Sequence, residues 1–316
     1  MRNHLIDQLV KIAENDKNLY LMTGDLGFGV LDEFALKYPD RFINAGISEQ
    51  NMMAVAAGMA LSGNTVYVYS IGNFPGMRCL EQIRNDVCYH NANVKIIVVG
   101  GGFAYGQLGM SHHATEDIAV MRALPNMRVY SPADPSEAVE IIKQVQSIDG
   151  PCYIRLGKGK EPELHNNIIN YDVERILEMS KGEAVAIIST GSIIGEAKKA
   201  VETLHEEGIK VGLYNCMTIK PIDSEAIRKI GLEYDIVITV EEHNLIGGLG
   251  GAVAEELAEM KGHRAKLIRI GLNDIYPSIV GSQKFLREIY QMSEKYILKR
   301  IREVIADEKS CGNRSY

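Results

Sequence analysis

Three observations in the sequence predict an α/β protein built as two doubly wound parallel-sheet domains. Short apolar, β-rich runs alternate with helical patterns from end to end: LYLMT, TVYVYS, VKIIVV and CYIRL in the first half, AVAIIS, KVGLY, DIVITV and AKLIRI in the second. Continuous apolar strands separated by helices belong to parallel sheets covered on both faces. The rhythm breaks at GKGKEPELHNNIINYDVERILEMSKG, where Pro162 and clustered polar residues interrupt any period. The chain of 316 residues is long enough for two cores. The expected division is a first domain over 1–160, a linker over 161–182 and a second domain over 183–316.

Composition excludes several classes. With 46% hydrophobic and 24% charged residues the chain is not disordered, and a net charge of −7 without a long basic run leaves no footprint for nucleic acid or an anionic membrane. Cys79, Cys88, Cys152, Cys216 and Cys311 are scattered without a C-x-x-C pair, so they read as reduced thiols rather than a zinc set, and no metal site is expected on this chain. No segment approaches the apolar length of a bilayer span. The opening MRNHLIDQLVKIAENDKN reads as an amphipathic helix with Leu5, Ile6, Leu9, Val10, Ile12 and Ala13 on its apolar face, not as a signal peptide. A cytoplasmic protein is expected. The closing DEKSCGNRSY lacks any apolar period and is expected to fray.

The motifs are each open to a structural and a chemical reading. In NAGISEQNMMAVAAGMALSG, Glu49 opens a small, apolar helix. An acid there can serve capping with Ser48 and the helix dipole, or it can be buried for use. GGGFAYGQLG follows the strand VKIIVV and GGLGG precedes a helix, but neither has the spacing of a dinucleotide fingerprint or a P-loop. The second is read as close packing of a helix start on its sheet, the first as a loop where backbone approaches a ligand. That loop runs into MSHHATED at the carboxyl edge of a strand, where open α/β sheets bind ligands. Cations that could hold an anion are Arg2, Arg78, Arg122, Arg155, Lys158 and Lys160. SPADPSEAVEII reads as a turn and a helix start, and Glu241, Glu242 and His243 as a weak acid–base cluster.

Taken together, TGDLGFGVLDEFALKYPDRFINAGISEQNM, SHHATEDIAVMRALPNMRVYSPADPSEA and EEHNLIGGLGGAVAEELA resemble the C-terminal half of transketolases, in order and spacing over nearly the whole chain. The resemblance implies a pyrimidine-binding domain followed by a transketolase C-terminal domain, in the form of the C-terminal subunit of a split transketolase related to 1-deoxy-xylulose-5-phosphate synthase. It makes Glu49 the acid that hydrogen-bonds the aminopyrimidine of thiamine diphosphate, with the apolar helix behind it supplying the burial that suits a shared proton. Asp25 and Leu26 match the segment beside the thiazolium ring. Phe74 matches the aromatic that stacks on the aminopyrimidine, with Tyr69 as a substitute. His112 falls where a histidine or glutamine faces the donor sugar. Arg2 and Lys158 match phosphate-binding arginines, and Arg155 is the alternative to Lys158. Two departures stand out: Leu108 replaces an acid that contacts substrate hydroxyls, and Gly100 replaces a histidine before it.

Family members hold the diphosphate through Mg²⁺ with a Gly-Asp-Gly motif and a downstream Asn. No Gly-Asp-Gly occurs here. The expected partner is therefore an N-terminal transketolase subunit carrying the diphosphate and Mg²⁺ site, with self-association inside a heterotetramer, and sugar phosphates as substrates. The expected reaction is transfer of a two-carbon ketol unit from a ketose to an aldose. Rival expectations are a pyruvate-using synthase, the β subunit of a 2-oxo acid dehydrogenase first component, and a non-catalytic scaffold subunit that has kept the fold.

Overall fold

The computed structural model describes residues 1–165 and 171–312, with side chains as far as residue 307. The strands are β1 (Leu19–Thr23), β2 (Phe42–Asn44), β3 (Thr65–Ile71), β4 (Val94–Val99), β5 (Arg128–Tyr130), β6 (Cys152–Leu156), β7 (Leu177–Ser180), β8 (Val185–Ser189), β9 (Val211–Asn215), β10 (Thr218–Lys220), β11 (Ile236–Asn244) and β12 (Lys266–Leu272). They form two sheets, in spatial order β10-β5-β6-β4-β3-β1-β2 and β12-β11-β8-β9-β7. Both sheets are parallel except at one edge, where β10 runs antiparallel to β5 and β7 antiparallel to β9. Every apolar run read from the sequence is a strand. The strands it did not show, β2, β5, β7 and β10, are three or four residues long, too short to carry a period.

Alternation along the central strands builds a core on each face of each sheet. In the first sheet Tyr67, Tyr69, Ile97, Val99, Ile154 and Leu156 face the helix Arg2–Asn15, while Val66, Val68, Ile96 and Val98 face the opposite core with Met52, Met53 and Ala56 of the helix Glu49–Leu61. The second sheet repeats the scheme, with Val185, Ile187, Ile236 and Ile238 on one face and Ala186, Ile188 and Val237 on the other. GGLGG is close packing: a Cβ on Gly248 would fall 2.0 Å from Glu241 Oε2, and one on Gly250 2.8 Å from Thr239 Oγ1. Asp134 caps the helix Pro135–Val145 by accepting from Glu137 N, with Pro135 at its start.

Three features depart from the expected layout. β7 lies inside the stretch expected to be linker; 166–170 of that stretch lie outside the described residues. β10, from the second half of the chain, completes the first sheet. The closing helix, Glu294–Gly312, runs into the segment expected to fray, carried by good helix formers such as Ala306 and Glu308. The side chain of Cys311 lies outside the described residues, whereas Cys79, Cys88, Cys152 and Cys216 are buried free thiols.

The domain boundary is polar and buried. Arg155 Nε donates to Asp117 Oδ2 at 2.8 Å, and its Nη2 donates to the carbonyls of Ala114 at 2.7 Å and Glu242 at 3.0 Å. Glu242 reaches back, accepting from Phe103 N at 2.6 Å while pairing with Arg287. Arg122 donates to the carbonyl of Gly247 at 2.7 Å. His243 is fully buried with Nδ1 on the Asn244 carbonyl and Nε2 accepting from Ala119 N, an arrangement that requires the neutral ring. Burial pushes His243 down to about 4 and pushes Glu241, 3.8 Å away, up to about 7.

These two shifts act oppositely on stability. The His243 contribution is present above its unfolded value and is lost as pH falls through about 4; the Glu241 contribution is present below its unfolded value and is lost as pH rises through about 7. The Tm of the protein should therefore vary little across the window where both act. In Glu241→Gln the Tm should fall on acidification from pH 6.5 toward 4, and in His243→Gln it should rise over the same range. Parallel profiles in the two variants would contradict the assignment.

Candidate active site

Glu49 opens its helix at the carboxyl edge of the first sheet and is 2% exposed. Ser48 does not cap it: the Ser48 hydroxyl donates instead to the Ala45 carbonyl at 2.6 Å. The end of β1 lies against the acid, since a Cβ on Gly24 would be in van der Waals contact with Glu49 Cγ at 3.5 Å. Beyond Gly24, Asp25 stands exposed at φ +55°, its carboxylate accepting from Asn44 Nδ2 at 2.9 Å, and the Leu26 carbonyl accepts from the Thr23 hydroxyl at 2.9 Å. These two therefore form a fixed loop beside the acid.

Arg78 donates to Glu49 Oε2 at 2.7 Å, and its guanidinium carbon lies 4.8 Å from the centre of the Phe74 ring. A planar N–H donor thus sits between a buried carboxylate and an aromatic face. The sequence pointed to Arg78 only as one cation among several. Phe74 is in turn edge-on to His112 at 5.3 Å, His112 to Tyr105 at 6.4 Å, and Lys158 Nζ stands 5.0 Å over the Tyr105 ring. Arg2 closes the row, acting electrostatically on the Tyr105 phenol and lying where a Cβ on Gly159 would be 3.8 Å from its Nε. Glu49, Arg78, Phe74, His112, Tyr105, Lys158 and Arg2 therefore form one line of side chains, an acid at one end and two cations at the other. Burial raises the Tyr105 phenol, so it is a neutral hydroxyl at ordinary pH.

Not every expected residue joins this row. Tyr69 is 1% exposed in the core, where burial pushes its phenol up to about 12 against the opposing influence of Arg2 beside it, and Phe74 is the aromatic presented at the edge. Arg155 lies away from the row. Strand alternation sends Ile154 and Leu156 to one core and Arg155 the other way, into the domain boundary, where it is 6% exposed and bound to Asp117. Arg122 is occupied in the same boundary. Of the two histidines, His113 is buried against Phe103 and held low by burial, while His112 is half-buried in the row. Tyr105 was missed; its one signal is a second aromatic, after Phe103, inside a Gly-rich loop.

The Glu49–Arg78 pair joins a buried acid to an arginine side chain that is 46% exposed, so solvent screens it. A double-mutant cycle on unfolding, with Glu49→Gln, Arg78→Ala and both, should give a coupling of about 1 kcal/mol. Full additivity would mean that the two side chains do not pair in solution.

A family model described as transketolase, pyrimidine binding domain, matches residues 1–162, and one described as transketolase, C-terminal domain, matches 175–297. The chain is 39% identical to the putative transketolase C-terminal section of Methanocaldococcus jannaschii, over 98% of this chain and 97% of that protein. It is 35% identical to one of the subunits of the apulose-4-phosphate transketolase of Actinobacillus succinogenes, over 91% and 93% of the two chains. Among solved structures, a split gene transketolase described as an inactive β4 tetramer superimposes with a TM-score of 0.87 at 34% identity, over 96% of this chain and 97% of that one. An undivided transketolase from Pichia stipitis shares the fold at a TM-score of 0.82 and 18% identity, with this chain spanning 46% of its length. The chain belongs to the transketolase family and consists of that family's pyrimidine-binding and C-terminal domains.

Proposed function

We propose that this chain is the C-terminal subunit of a thiamine diphosphate-dependent transketolase that moves a two-carbon ketol unit from a phosphorylated ketose to an aldose. The observation that carries the reading is the row from Glu49 to Lys158 and Arg2, which joins a buried acid to a pair of cations through two aromatic rings and a histidine. The relatives named for transketolases of apulose 4-phosphate and of 6-deoxy-6-sulfo-D-fructose support a substrate with an anionic end.

The acid end suits the cofactor's aminopyrimidine. Arg78 supports this: its planar guanidinium lies over the Phe74 ring at 4.8 Å and donates an N–H to the Glu49 carboxylate. Thiamine diphosphate, when bound, supplies the nucleophilic carbon and the electron sink that breaking a carbon–carbon bond beside a carbonyl requires. Glu49 would hold a shared proton at the aminopyrimidine ring nitrogen, and Phe74 would carry the ring's face. Arg78, half-exposed on a flexible stem, would give up its place. His112, next along the row, is positioned to exchange a proton with the substrate's oxygen near the reacting carbon, and Lys158 with Arg2 would hold the anionic end.

In this reading the diphosphate and Mg²⁺ lie on a separate N-terminal subunit, since the sequence has no Gly-Asp-Gly. Phe28 and Ile47 (each 79% exposed), Met77 and Met110 flank Asp25, Glu49, Arg78 and His112 in sequence; so apolar a rim suits coverage by a protein partner. A pair of each subunit is the expected assembly.

Co-expression with a Gly-Asp-Gly-bearing partner, followed by assay of ketol transfer between sugar phosphates, tests the whole reading. Glu49→Gln should assemble normally, judged by size-exclusion chromatography, while turnover drops on the order of 10²- to 10⁴-fold. Normal turnover in that variant would remove Glu49 from the mechanism. Release of CO₂ from pyruvate by the complex would replace ketol transfer with a 2-oxo acid reaction, a path favoured by the 32% identity to 1-deoxy-D-xylulose-5-phosphate synthase of Heliobacterium modesticaldum, of which this chain spans 47%.

A further inference from the structure

We propose that Tyr105 is a specificity-determining residue of this same site: its ring fixes the Lys158 ammonium over the pocket and so sets the preference for substrates with a phosphate end. The inference rests on the ketol-transfer reading above and adds a residue and a selectivity to it.

Tyr105 is the link between the two halves of the row, edge-on to His112 on one side and under Lys158 on the other. Its place is made by Gly100. That residue follows β4 at φ +99°, and a Cβ on it would fall 2.2 Å from Tyr105 Cδ2 and 2.4 Å from Cε2. The ring therefore occupies the space that any side chain at residue 100 would take. A residue with no side chain there is what admits the aromatic.

Lys158 needs such a platform. It is exposed, and among the described residues its ammonium pairs with no carboxylate; the Tyr105 ring is what it rests on. A lysine is a point charge on a flexible stem, unlike an arginine fork, and an anion must otherwise bear the entropy of ordering it. A cation held against an aromatic face is ordered in advance.

The pair lines a cavity of about 280 Å³, together with Gly106, Leu108, Ser282 and Gln283 among others, and among the described residues no carboxylate lines it. The second domain closes it, since Gly281 N donates to the Gly106 carbonyl at 3.2 Å. One cation over an aromatic and an apolar wall, with small polar groups opposite, matches a short chain ending in a phosphate. Leu108 offers no hydrogen bond to a hydroxyl at that wall.

The test uses the complex with its N-terminal partner and compares D-fructose 6-phosphate with D-fructose as donors. In Tyr105→Ala, kcat/KM for the phosphorylated donor should fall about ten-fold more than for the unphosphorylated one, expressed mainly in KM. Tyr105→Phe, which keeps the ring, should restore the ratio. An equal fall for both donors, or no rescue by Phe, would overturn the proposal and leave Tyr105 as a support of its loop. A second readout does not depend on turnover: acetylation of Lys158 by acetic anhydride, followed by mass spectrometry with and without D-fructose 6-phosphate. Protection in the wild type that is lost in Tyr105→Ala is expected. Protection unchanged by the variant would overturn the proposal even if the complex catalysed no ketol transfer, whereas absent ketol transfer with Tyr105-dependent protection would count against the reaction alone.

Discussion

The arrangement depends on two charged side chains that cross the domain boundary in opposite directions. Arg155, from the first sheet, takes hold of the Glu242 carbonyl; Glu242, from the second, accepts from Phe103 N in the first. Between them they fix both ends of the loop that runs from Gly100 to Asp117, because Arg155 also binds the Ala114 carbonyl and Asp117. His112 and Tyr105 ride on that loop. Buried charges are costly unless they are paired and hydrogen-bonded, and here Arg155 pairs with Asp117 and Glu242 with Arg287. Loss of either partner would leave an uncompensated charge rather than a looser contact.

This explains why the second domain matters to a row of residues drawn entirely from the first. Its strand β11 holds the loop by hydrogen bonds through Glu242 and Asn244, Gln283 of the helix Gln283–Ile289 in turn binds the Glu242 carboxylate, and the segment around Gly281 closes the pocket under Lys158. The domain contributes no member of the row, yet it determines where two of them stand. Geometry that must hold a substrate to a fraction of an ångström is better supported by such a shell than by a free surface loop.

The row is also asymmetric in how it is held. At the acid end, Glu49 is locked by burial and Arg78 answers its charge. At the cationic end, Lys158 is solvent-exposed and rests on a ring. The row thus has a buried and fixed end beside an open and adjustable one.

The sequence by itself determined the fold class and the main strands, and it singled out Glu49 as a candidate. The strands were legible because a buried parallel strand must be apolar along its whole length, and Glu49 because a lone carboxylate at the head of a small apolar helix is conspicuous. The short strands β2, β5, β7 and β10 were not legible, since three or four residues hold no period. Arg155 shows the limit most clearly. Its place at the end of a strand and before glycines is equally suited to holding a phosphate or to crossing a domain boundary, and the packing of Glu242 and Asp117 around it puts it at the boundary. Tyr105 and Arg78 likewise gain their meaning from neighbours distant in sequence, a lysine and a carboxylate. Local pattern determines which face of an element is buried; which charges meet across two domains is settled only when both cores close at once.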